Sequence, residues 1–226
     1  MICLVICTEG DSSEPAAIEE FSITKTGQTH PEPDIFTVPL GGNQGHKRLF
    51  EAADKKIAEL RRPDSDSILS LATDSDVIEK WVICDYDVMD ENGISEQEFR
   101  NLAREMDYHV AINKPNFEFF VLALLTNLEV ARNTKPKDYA KEIDKAVKQI
   151  NKQNIKEKGF SDTMIIPPYS KNKYAAVRFF GNIFNYNPEL IKKFFEHNPQ
   201  NSGGYYTEMD RMLKRITEVV AINSNN

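Results

Sequence analysis

Apolar positions along this chain fall into two rhythms. Residues 2–7 (ICLVIC) and 81–84 (WVIC) are unbroken apolar runs. A run without alternation fits a strand covered on both faces, as in a parallel sheet with helices on each side. IFTVP at 35–39 and the stretch 108–112 predict two further strands, and the third strand is expected to run from Lys80 through Asp87. Between the strands the apolar positions recur at helical spacing. Leu49, Phe50, Ala53, Ile57 and Leu60 line one face after the loop GGNQG. Phe99, Leu102 and Met106 line another, on a helix whose start carries the capping-box pair Ser95 and Glu98. Ser12, Ser13, Glu14 and Pro15 predict the start of a short helix reaching about Phe21. A short apolar piece at 68–72 follows an Asp/Ser-rich linker, and FEFFVLALLTNLEV, residues 117–130, predicts one core helix.

Alternating strands and helices argue for an α/β fold with a mainly parallel sheet flanked by helices, here over residues 1–130. From 131 to 226 the pattern becomes mostly helical. Segments 139–156, 173–184, 188–196 and 206–221 predict helices, no strand is expected, and residues 223–226 are expected to fray. This second region is expected to pack on the first.

Composition narrows the function classes. The chain has 226 residues, of which 40% are hydrophobic and 28% charged, which describes a folded globular protein. No apolar run of about 18 residues is present, so no membrane span or membrane partner is expected. The N-terminus MICLVICTEG lacks a basic leader and a small-residue cleavage site, so it is not expected to be a signal peptide. Cys3, Cys7 and Cys84 all lie in apolar runs, which predicts buried reduced thiols and a cytoplasmic setting. The net charge of −7 hides an asymmetry. Residues 1–130 carry 11 Lys/Arg against 25 Asp/Glu, whereas residues 131–226 carry 17 against 10. An acidic body joined to a basic appendage is one way to hold metal ions and bind a polyanion, and the solvated face of a helix is the other reading of the lysines at 135–158.

The candidate chemistry lies where strands end. Glu9 follows LVIC and Asp85 and Asp87 follow WVIC, so two strands end in acids that a parallel sheet would bring to one edge. On an extended backbone the Asp-x-Asp spacing puts both side chains on one side. Carboxylates crowded together stay ionised only with compensating cations, and Mg²⁺ or Mn²⁺ is the natural partner. Acids also commonly start loops and cap helices, which is the alternative for each one alone. GGNQG lacks the full phosphate-loop pattern, although Lys47 and Arg48 just after it are candidate phosphate contacts. Lys171, Lys173 and Arg178, beside Tyr169 and Tyr174, mix cations and aromatics as nucleic-acid binding surfaces do.

Thr8-Glu9-Gly10 after the first strand, with a later strand ending in D-x-D, resembles the Toprim pattern of topoisomerases, primases and nucleases. TEGDSSEP (8–15), VICDYDVMD (82–90) and NKPNFEFFVLALL (113–125), in that order, are more closely similar to RloB-like proteins, as is the C-terminal NPQNSGGYYTEMDRMLKRI. The resemblance covers most of the chain. It departs from the family pattern at Ile112 and Lys114 around Asn113, and at Val88-Met89 after D-x-D.

The resemblance implies a Toprim-like fold and a metal-dependent nuclease acting in phage defence on RNA (tRNA in some similar effectors) or DNA. Glu9 would be the general base or acid, and Asp85 and Asp87 would bind Mg²⁺. Asp90 would be a further metal ligand, and Glu118, with Asn113 and Asn116 beside it, would add to the site. RloB-like proteins are often encoded beside an AAA-type ATPase, so such a partner is implied, and a homo-oligomer is open. A non-catalytic, metal- or nucleotide-binding regulatory subunit of an ATPase complex is the alternative. Topoisomerase or primase chemistry fits less well, because those activities use large accessory domains.

Overall fold

The structure is a computed structural model that describes residues 2–26, 34–41, 46–65, 67–71, 76–91, 93–159, 165–178 and 205–224. Among the described residues five strands form one sheet: β1 (Ile2–Thr8), β2 (Ile35–Pro39), β3 (Val77–Asp85), β4 (His109–Lys114) and β5 (Tyr206–Thr207), in the order β2-β1-β3-β4-β5. The first four are parallel and β5 runs antiparallel on the β4 edge. The helices are α1 (Ser13–Thr26), α2 (His46–Leu60), α3 (Tyr86–Glu91), α4 (Glu96–Glu105), α5 (Phe117–Leu125), α6 (Leu128–Asn133), α7 (Tyr139–Lys158) and α8 (Met209–Asn223). The α/β fold, with a mainly parallel sheet between helices and a helical region after it, is the one the apolar pattern predicts.

The unbroken apolar runs are explained by coverage of both sheet faces. Leu4 and Ile6 of β1, with Trp81 and Ile83 of β3, pack under α1, α5, α7 and α8. Cys3, Val5 and Cys7, with Val82 and Cys84, face the other way onto α2 and α4. Each fully buried Leu, Ile or Val here contributes about 1.5–3 kcal/mol of transfer free energy, so neither face tolerates polar alternation. α4 forms with its capping box intact: the Glu98 N–H donates to Ser95 Oγ at 3.2 Å, and the Ser95 N–H donates to the Glu98 carboxylate at 2.8 Å. The three thiols are free and buried, and burial pushes Cys7 up to about 12, which makes it an inert core residue.

Several boundaries differ from the sequence expectation. The first helix runs to Thr26 rather than Phe21. The predicted core helix 117–130 is broken after Leu125, because Asn127 starts a new helix by accepting the Val130 N–H at 2.8 Å. A strand does exist beyond residue 131. The expected helix at 206 begins only at Met209, since Tyr206 and Thr207 pair with Lys114 and Asn113. Asn223, expected to fray, is instead tied to the first strand. Its side chain accepts from the Ile2 N–H at 3.2 Å and donates to the Ile2 carbonyl and to Asp34, both at 2.9 Å. Of the helix expected at 173–184, residues 173–178 are helical; its remainder and the helix expected at 188–196 lie outside the described residues. No helix among the described residues is long and apolar enough to cross a membrane.

Candidate functional site

The order β2-β1-β3-β4 places a topological switch point between β1 and β3. The chain leaves β1 through α1 on one face towards β2, and leaves β3 through α4 on the other face towards β4. In open α/β sheets the ligand crevice lies just beyond the strand ends at such a point. Glu9 follows β1 there and Asp85 ends β3. The register pairs Thr8 with Ile83 and Asp85 with Asn113, so Glu9, Asp85 and Asn113 share one edge. Glu9 is only 8% exposed. Its N–H donates to the Ile83 carbonyl at 3.1 Å, and its Oε2 accepts from the Asp85 N–H at 3.4 Å.

Asp87 reaches this edge by a different route from the one predicted. The extended backbone stops at Asp85, and the N–H groups of Tyr86 and Asp87 both donate to the Pro115 carbonyl, at 3.1 and 3.2 Å. That shared acceptor turns the chain directly into α3, so Asp87 lies in the first turn of a helix and is exposed. Asp85 and Asp87 are therefore not same-side neighbours on a strand, although their charges still interact.

Two more carboxylates complete the cluster. Glu118 lies in the first turn of α5, as the helix dipole favours, with its side chain 16% exposed. Glu14, in the first turn of α1, is 7% exposed and joins the cluster, which its reading as a helix start did not anticipate. Its carboxylate folds back over Gly10: a Cβ on Gly10 would lie 2.2 Å from Glu14 Oε2. The glycine of Thr-Glu-Gly thus leaves room for a second acid, and the pairing of Gly10 with an acid four residues on was the available signal.

The electrostatics follow from this crowding. Burial, reinforced by the charges of Glu14, Asp87, Glu118 and Glu9, pushes the Asp85 carboxyl well above the usual aspartate range. Burial also raises Glu14. Hydrogen bonds from its own backbone N–H and from the Ser13 hydroxyl, the latter at 3.0 Å, offset part of that rise. Asn113 is fully buried and orients Asp85: its Nδ2 donates to Asp85 Oδ1 at 3.4 Å, while its Oδ1 accepts from the Thr207 hydroxyl at 2.7 Å. Asn116 precedes α5, makes no capping bond, and has a buried Oδ1 without a partner. Lys173 reaches in from the C-terminal region to Glu118 Oε1 at 2.5 Å, and the Tyr169 hydroxyl donates to the same oxygen at 2.9 Å.

The donor set suits a hard divalent cation such as Mg²⁺ or Mn²⁺, which would relieve the repulsion around Asp85. Among the described residues no three His, Cys, Asp or Glu side chains are already drawn into a metal-binding group. The carboxylates fit such an ion in chemistry, but as they stand they are not grouped closely enough to hold it. Of the other predicted residues, the side chains of Asp90 and Lys47 and the loop residues 42–45 lie outside the described residues. Arg48 is exposed on α2, whose buried side packs on the opposite sheet face. Lys171 is exposed, and Arg178 pairs with Glu20 at 2.5 Å and lies 5.7 Å from the Tyr174 ring. Compared with the families of known proteins, with curated proteins and with solved structures, the chain matches none.

Proposed function

We propose that the chain is a divalent-metal-dependent nuclease of the Toprim type, with its reaction centre at Glu9, Glu14, Asp85, Asp87 and Glu118. The observation that carries this reading is the gathering of five carboxylates at the switch point of a parallel sheet, where Asp85 feels the charge of the other four. A stable fold gains nothing from that repulsion, so the cluster makes sense when a cation and a phosphate occupy it.

Asp85, with Asp87 and Glu9, would hold Mg²⁺ or Mn²⁺; the ion when bound would neutralise the scissile phosphate and favour hydroxide over water. Glu9, whose N–H is bonded to Ile83 and whose carboxylate accepts from the Asp85 N–H, would take a proton from the attacking water. Asn113 keeps Asp85 in register through Thr207. Lys173, half exposed beside Glu118, offers a cation to an incoming phosphate. The reading carries with it the setting implied by the RloB-like motifs: a cytoplasmic phage-defence effector, with an AAA-type ATPase as candidate partner.

A second reading, a non-catalytic subunit that binds metal or nucleotide beside such an ATPase, is favoured by the net charge of −7, because free-standing nucleases usually present a more basic surface. One assay separates them. Purified protein with Mg²⁺ or Mn²⁺ is tested on tRNA, single-stranded RNA and duplex DNA beside Glu9→Gln and Asp85→Asn. Cleavage that falls at least about a hundredfold in both variants, with circular dichroism unchanged, supports the nuclease. A parent protein that binds the metal yet cuts nothing, even with the ATPase added, sinks it in favour of the second reading.

A further inference from the structure

The long helix α7 carries a feature that the acidic centre does not use. Its inward side, Tyr139, Ile143, Ala146 and Val147, is buried in the core. On another side Lys141, Lys145, Lys148, Lys152 and Lys156 recur at intervals of three and four residues, all exposed. Such spacing aligns them in one row roughly 22 Å long with about 5–6 Å between neighbours. Of the five, Lys145 alone is ion-paired among the described residues, with Glu142 at 2.6 Å. Lys137, Lys141, Lys145 and Lys148 line an open depression of about 600 Å³ together with Ala140, Asp144 and Ser170.

This row is joined to the acidic centre by one short segment. Asp144 of α7 accepts from both the backbone N–H and the hydroxyl of Ser170, and Asn151 bonds the N–H and carbonyl of Ile166, both at 2.9 Å. The next side chains turn the other way. Tyr169 and Lys173 both reach Glu118. Tyr174, 41% exposed and with Arg178 5.7 Å from its ring, stands on the same turn. Exposed cations on α7, an exposed aromatic ring and a lysine at the carboxylates, the last two on the segment bonded to α7, are the groups that fit a flexible phosphate backbone with a base stacked beside it.

We propose that α7 is a phosphate track for single-stranded nucleic acid, with Tyr174 as its stacking platform and Lys173 as its delivery point to the acidic centre. The proposal rests on the nuclease reading for the strand's destination, and on α7 itself for binding. A single strand is favoured over a duplex because the row is one residue wide and the stacking ring needs an unpaired base.

The test is fluorescence anisotropy with a fluorescein-labelled single-stranded RNA of about 20 nucleotides, in EDTA so that binding is read without cleavage. The track variant is Lys141→Gln, Lys145→Gln, Lys148→Gln and Lys152→Gln together. The control, Lys55→Gln, Lys56→Gln, Arg61→Gln and Arg62→Gln, removes the same charge from exposed positions on and just after α2, over the other sheet face. The track variant is expected to bind at least about tenfold more weakly, with a slope of log affinity against log salt shallower by about 2–3. The control stays within about twofold of the parent, and Tyr174→Ala loses about tenfold. Equal losses in track and control variants, no loss in the track variant, tighter binding of the matching duplex, or no binding by the parent would each overturn the track. Loss confined to the track variant while Glu9→Gln still cleaves would support the track and remove the nuclease reading from the acidic centre.

Discussion

Two regions of this molecule bury acids, and they treat them in opposite ways. At the β4–β5 edge, Glu208 is 4% exposed and fully engaged. It accepts from Arg100 at 3.0 Å and from the Ile112 N–H at 3.1 Å, while Arg100 also grips Glu96 at 2.8 Å. At the β1–β3 switch point, Asp85 sits among four other acids and Glu14 beside Glu118, and burial first, then like charge, drives both carboxyls upward. A carboxylate buried with a cation and backbone donors holds a fold together, whereas one buried among like charges costs stability and signals a use. Burial alone therefore does not separate the two regions; the sign of the neighbouring charges does.

The largest expected effect breaks the structural half of this contrast. Arg100→Ala leaves Glu208 and Glu96 without their cation, and should lower stability in urea by about 2–3 kcal/mol, less than a fully buried pair because Arg100 is 23% exposed. A loss well under 1 kcal/mol would mean the two regions do not differ as described. Next, divalent ions should sharpen the functional half. Mg²⁺ at ten times its dissociation constant should stabilise the parent by about 1.4 kcal/mol in a thermal melt and leave Asp85→Asn unmoved. Equal shifts in both proteins would place the ion elsewhere.

The smallest effect has the opposite sign from most substitutions. Glu14→Gln should stabilise the metal-free protein by about 1 kcal/mol at pH 7. Because burial raises the folded carboxyl above its ordinary 4.5, the unfolded chain gives up its proton first as pH rises. The parent is then most stable below that value and loses stability as pH climbs through the folded pKa. The advantage of Glu14→Gln should accordingly vanish near pH 4 and be complete above the folded pKa. A benefit that grows on acidification would contradict the assignment.

Much of this was legible in the sequence, for physical reasons that can be stated. The runs ICLVIC and WVIC fitted strands covered on both faces, and Ser95 with Glu98 marked a helix start that the structure keeps. Glu9 and Asp85 were readable as acids at strand ends because parallel strands share an edge. Asp87 was misplaced because the bond from its N–H to Pro115 comes from a segment 28 residues later, invisible to local periodicity. Glu14 was hidden for a similar reason: helix-start chemistry explained it so well that its fold-back over Gly10 went unsuspected. β5 is two residues long and has no pattern of its own; pairing with β4 makes it a strand.

That last strand also sets a clock. Asp85 is oriented through Asn113, and Asn113 is held by the hydroxyl of Thr207, 94 residues further along. During synthesis the acids of β1 and β3 leave the ribosome long before their outermost support exists. The chain therefore carries these acids without that alignment until translation has passed residue 207, a built-in delay between making the acidic cluster and ordering it.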